Sequence, residues 1–233
     1  MINTKKKDMK RFTYACLSFA SILLSTELQA LSSSSEDYES DDRKQYNFVG
    51  VALFSGKDLV SKAIKAATHS KISHVGVILA DARDENKWYC FESTGTPSEV
   101  LHGHYPHVRV TPWENTVEMY DGKVSYRLAV FEDRDRTDSM AVTEFVEEYD
   151  GKSYTKNPLK LFRALFRKNK ESTSKTLNTV FCSELAAKML MNLEIIDADI
   201  ESNKLPKDFS SGGNIIPKLG ITFTEAFPEN YRL

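Results

Sequence analysis

The strongest constraint on the fold is the order in which short β-type runs and helical-period segments alternate downstream of residue 46. "YNFVGVALFSG" (46–56) is rich in β-branched and aromatic residues and stops at Gly56. "KDLVSKAIKAATH" (57–69) has helical spacing, with Leu59, Val60, Ala63, Ile64 and Ala67 on one apolar face. "SHVGVIL" (73–79), "KWYCFESTG" (87–95), "HVRVTPW" (107–113) and "VSYRLAVF" (124–131) are further strands. "SMAVTEFVEEY" (139–149), "NPLKLFRALFRK" (157–168, with Pro158 in its first turn) and "CSELAAKMLMNL" (182–193) are helices. Neighbouring strands separated by turns, with helices set around them, predict an α+β fold with a mainly antiparallel sheet packed against helices.

The chain has 233 residues, 41% hydrophobic and 27% charged, enough for one domain with a sizeable core. The net charge of −2 supplies no field that would draw the chain to nucleic acid. The N-terminus stands apart. "MINTKKKDMKR" is basic, residues 12–24 are apolar, and "STELQA" ends in a small residue, Ala30. That order is expected of a secretory signal peptide over residues 1–30, too short in its apolar part to cross a bilayer comfortably. Residues 31–45, "LSSSSEDYESDDRKQ", cannot bury enough apolar surface to fold and are expected to be an acidic, Ser-rich linker. The domain is then residues 46–233, and the expected destination is export to the periplasm or beyond.

Three cysteines are present, and Cys16 falls within the expected signal peptide. Cys90 lies inside the aromatic strand "WYCFE". Cys182 opens a helix whose Leu185, Ala186, Met189, Leu190 and Leu193 recur at helical spacing. At a helix N-terminus the unpaired N–H groups favour a thiolate and can hold an oxyanion. A cysteine there, with a histidine elsewhere, is what a thiol nucleophile needs, although packing alone also explains a small apolar residue at a helix start. His74, at the head of an apolar strand, is a base or a strand-end residue bonded to a carbonyl. In an oxidising compartment two cysteines also invite a Cys90–Cys182 disulfide, which would suit an exported, non-enzymatic binding protein.

"GVALFSGKDLVSKAIKAATHSKISHVGVIL" and "FCSELAAKML" together resemble the circularly permuted branch of the NlpC-type, papain-like superfamily, the YiiX-like proteins, in which the histidine strand precedes the cysteine helix. The branch is also similar to lecithin retinol acyltransferase. "CFEST", "GKSY" and "NIIPKLG" match further elements in the family's order, from about Tyr46 to Phe227. Gly50-Val51 departs from the family's frequent Gly-Asp, and 156–170 looks like an insertion or an adapted helix. The resemblance implies a Cys182 nucleophile, a His74 base, a Glu92 that orients the imidazole, and Tyr154 and Ser183 at the substrate or oxyanion. It implies acyl transfer through a thioester on an amide or ester, with a lipid or a cell-wall peptide as substrate, and requires no metal or other cofactor.

Two other features bear on partners. Residues 156–170 carry Lys160, Arg163 and Arg167 with no acid, and Leu159, Phe162 and Phe166 on one face. Such a helix suits an anionic membrane or a lipid pocket, and equally a solvated face on a core helix. "HGHYPH" groups His102, His104 and His107, of which the first two share a strand face, but no firm further ligand completes a zinc site. It is otherwise a polar loop near the cleft mouth.

Overall fold

A computed structural model describes residues 43–95, 107–132, 138–153, 181–197 and 204–228. The chain divides into two compact units, Met1–Arg43 and Lys44–Leu233, and every described element lies in the second. Among the described residues the fold is α+β: a seven-stranded antiparallel sheet packed against four helices.

In chain order the elements are β1 (Tyr46–Gly56), α1 (Leu59–Thr68), β2 (His74–Asp81), β3 (Trp88–Thr94), β4 (His107–Pro112), α2 (Trp113–Met119), β5 (Gly122–Phe131), α3 (Ser139–Tyr149) and α4 (Cys182–Asn192). A 3₁₀ turn (Pro206–Phe209), β6 (Ile221–Phe223) and β7 (Phe227–Pro228) follow. The sheet order is β4-β3-β2-β1-β5-β6, with β7 also pairing β5. Strands consecutive in the chain lie side by side in the first four positions, with α1 between β1 and β2 and a short turn between β2 and β3; β5 returns to the free side of β1.

Strand alternation builds a core on each face. Val51, Leu53, Val75, Val77, Leu79, Phe91 and Val108 project to one side, where Val142, Phe145 and Val146 of α3 and Leu185, Met189 and Leu190 of α4 cover them. Ala52, Phe54, Ile78, Cys90, Val124 and Tyr126 project to the other, capped by Trp113 at the head of α2. The central strands read as near-continuous apolar runs because both their faces are buried.

Three expectations are corrected here. The apolar stripe of α1 does not enter the core. Leu59 is 82% and Val60 60% exposed, Ala63 is exposed, and Ile64 and Ala67 are half-buried; Ser61 and Thr68 are the buried residues. Short connections fix the rotation of this helix: Asp58 caps it by accepting from the Ser61 amide, and Lys65 reaches back to the Gly56 carbonyl at 2.6 Å. Trp113 is no strand end but the first residue of α2, which Pro112 enters. The Cys90–Cys182 disulfide is absent: both thiols are free, because Cys90 is fully buried in the core beside Ile78 and Trp113, whereas Cys182 packs against the core on the opposite face. The expected helix at 157–168, with Lys160, Arg163 and Arg167, lies outside the described residues, as do Tyr154, His102 and His104.

Candidate active site

The ladder between β2 and β3 runs only from Ala80↔Trp88 to Val77↔Phe91. Beyond it β2 stays paired with β1 as far as His74↔Phe54, and β3 with β4 as far as Thr94↔His107. The two strands therefore part company at one end of the sheet. His74 and Glu92 stand on the two sides of this opening.

Gly76 makes their meeting possible. A Cβ built on Gly76 would lie 2.7 Å from Cys90 Sγ and 3.4 Å from Glu92 Cβ. Any side chain there would run into the Cys90 sulfur and crowd Glu92 on the same face of the sheet. With that space clear, Glu92 Oε2 lies 2.7 Å from His74 Nε2. Phe54 supports the other side of the imidazole, with ring centroids 5.0 Å apart. His74 is half-buried and Glu92 only 5% exposed.

Cys182 reaches the same place from α4. It is the first residue of the helix; the preceding Phe181 offers no side-chain cap, and the first helical bond runs from the Leu185 amide to the Phe181 carbonyl at 2.8 Å. The leading amides of α4 are thus without a capping side chain, the state that favours a negative group in front of them. The Cys182 sulfur hydrogen-bonds the His74 ring and receives the backbone amides of Val75 and Ser183. Cys182 itself is half-buried.

The electrostatics follow from this contact. Burial alone would favour a neutral imidazole, but the Cys182 sulfur and the Glu92 carboxylate outweigh it and push the His74 pKa up to about 10. Burial would raise the Cys182 thiol; the imidazolium charge, its hydrogen bond and the two amides reverse this and hold the thiol below its ordinary value. Burial also opposes the Glu92 charge, and His74 and then Arg109 hold its carboxyl below the usual range. These shifts all run toward a thiolate–imidazolium pair with an ionised carboxylate behind it. Cys90 is the opposite case: burial and the Glu92 charge keep its thiol well above the ordinary value, so it is inert.

The structure therefore brings Cys182, His74, Glu92 and the Ser183 amide together. His107 heads β4 across from Thr94, and Ser153 bridges to it, so the "GKSY" segment runs along the free edge of β4 as far as it is described. Sequence reasoning missed Arg109. It donates from Nε (3.3 Å) and Nη2 (3.1 Å) to Glu92 Oε1 and is 6% exposed. No local signal marked it: in "HVRVTP" an arginine between two valines reads equally as an exposed edge residue, and its burial comes from the strand pairing.

The solved structures that a fold comparison finds include the metalloprotein yiiX from Escherichia coli O157:H7. The match has 22% identity and a TM-score of 0.42, over 63% of this chain and 66% of that one. No family model and no curated protein matches the chain. Among the described residues no group of three or more His, Cys, Asp and Glu side chains is placed to hold a metal ion.

Proposed function

We propose that the chain is a thiol-dependent acyl hydrolase or acyltransferase of the permuted papain-like type. The observation that carries this reading is the continuous hydrogen-bonded run from the Cys182 sulfur through the His74 ring to Glu92 at the uncapped start of α4. Bare packing leaves no reason for a buried carboxylate, an imidazole and a half-buried thiol to share protons in one opening of a sheet.

In this reading the Cys182 thiolate attacks the carbonyl carbon of an amide or ester. The new C–S bond forms as the carbonyl π pair moves onto oxygen, and the leading α4 amides stabilise that oxyanion. Tyr154, just past the edge segment, is proposed as a second donor. His74 gives its proton to the departing amine or alcohol as the tetrahedral intermediate collapses to a thioester. Water or an acceptor hydroxyl or amine then attacks the thioester, with His74 taking the proton of the nucleophile and the thiolate leaving. Glu92 keeps the ring oriented and the imidazolium charged throughout.

The substrate class proposed is a lipid or other hydrophobic acyl ester, with a cell-wall peptide amide as the second candidate. The basic, apolar-faced 156–170 segment, with Lys160, Arg163 and Arg167, supports the first by suiting an anionic lipid surface. The basic, apolar and small-residue order of residues 1–30 supports export. Acyl-probe profiling of the full chain against peptide amides and phospholipid esters tests the reading. Turnover of one class that is abolished in Cys182→Ala is expected; equal turnover by Cys182→Ala, or none of either class, overturns it.

A further inference from the structure

We infer that Arg109 is a positioning residue that sets the pH window of the Cys182–His74 pair by holding and part-neutralising Glu92. This rests on the thiol-dependent reading above. The geometry is specific. Glu92 and Arg109 face each other directly across the β3–β4 ladder, so their side chains leave the sheet on the same side. Arg109 places both Nε and Nη2 on the single oxygen Oε1, at 3.3 and 3.1 Å. That leaves Oε2 alone to meet His74 Nε2 at 2.7 Å. The carboxylate cannot rotate to offer His74 the other oxygen without breaking two charge-assisted hydrogen bonds in a buried setting.

The arrangement is a row of four alternating charges: thiolate, imidazolium, carboxylate, guanidinium. Without the last, an uncompensated carboxylate would sit against the imidazole. It would bind the imidazolium proton more tightly and so make His74 a poorer donor to a leaving group. It would also oppose the thiolate. Arg109 tempers both effects. A purely structural ion pair would change stability while leaving these titrations where they are.

The test is the pH dependence of Cys182 alkylation by iodoacetamide in the full-length chain, which needs no substrate. The wild type is expected to show two steps, one as the thiol ionises and one as the imidazolium loses its proton. Removing a positive charge raises both, so Arg109→Gln is expected to move both steps up by roughly 0.5–1 pH unit. Arg109→Lys, which keeps the charge, is expected to return them most of the way. Glu92→Gln is expected to move both steps down. Because Arg109 acts mainly by holding and neutralising the carboxylate, adding R109Q to E92Q is expected to move the steps by clearly less than R109Q moves them in the wild type. That double variant also removes the buried unpaired charge, so it serves if R109Q alone fails to fold. Step positions in R109Q equal to those of the wild type overturn the inference, as does a displacement from E92Q to the double variant as large as that from the wild type to R109Q. A wild-type Cys182 with no ionisation below the ordinary thiol value overturns the underlying reading itself, a result distinct from either.

Discussion

Cys182, His74 and Glu92 each have an ordinary explanation when read alone, and it is their joint titration that separates chemistry from packing. His74→Ala removes the charge and the hydrogen bond that lower the thiol. The expected outcome is a drop of about tenfold or more in the rate of Cys182 alkylation at pH 7, measured with native, folded protein. Hydrolysis of an acyl substrate by His74→Ala should fall by about 10²–10⁴-fold in kcat/KM. Glu92 carries a second, thermodynamic consequence. Its folded pKa lies below the ordinary 4.5, so its contribution to stability is complete above that value and is lost as pH falls through the folded one. Thermal unfolding followed from pH 7 down to pH 3 should show a falling Tm in the wild type and a flatter profile in Glu92→Gln. "SHVGVIL" and "CSEL" offered His74 and Cys182 as candidates with packing alternatives, and Glu92 of "CFEST" came in only through the resemblance. Arg109 was not legible, because a single arginine on a strand has no local mark that tells a buried clamp from an exposed edge residue.

At the scale of elements, the site depends on where strand pairing stops and on how a helix is held. Gly76 keeps the space between β2 and β3 clear of any side chain. Gly76→Val is therefore expected to displace Glu92 from His74 and to shift the alkylation steps in the same direction as Glu92→Gln, with a stability loss of about 1–3 kcal/mol from overpacking against the Cys90 sulfur. Gly76→Ala should show the same sign with a smaller size. Chemical denaturation and the alkylation profile together read both effects. α4 is anchored by Leu185, Met189 and Leu190, all nearly inaccessible. Leu190→Ala should cost about 2–5 kcal/mol, while leaving the alkylation steps of the folded fraction in place, because it loosens the helix far from its leading turn. The limits of α3 and the start of α4 were readable from hydrophobic period. The rotation of α1 was not. Its hydrophobic spacing predicted a buried apolar face, yet the helix is tied at both ends by short connections to the sheet, and these turn Ser61 and Thr68 inward.

For the molecule as a whole, the two sulfurs occupy cores on opposite sides of one sheet, and that excludes the disulfide that cysteine counting invited. Treatment of native protein with a thiol reagent should therefore label Cys182 quickly and Cys90 only after unfolding, with equal totals with and without reductant. The sequence by itself determined the strand and helix order, the two-faced burial of the central strands and the residue types able to do thiol chemistry, since each follows from local period, propensity and the placement of polar groups along the chain. Only the tertiary structure decided which of those residues meet. The separation of β2 from β3, the register that sets Arg109 against Glu92, and the face that α1 turns outward all come from pairings between segments distant in the chain. Those pairings depend on how strands align and how both cores fill, and no local window of sequence contains that information.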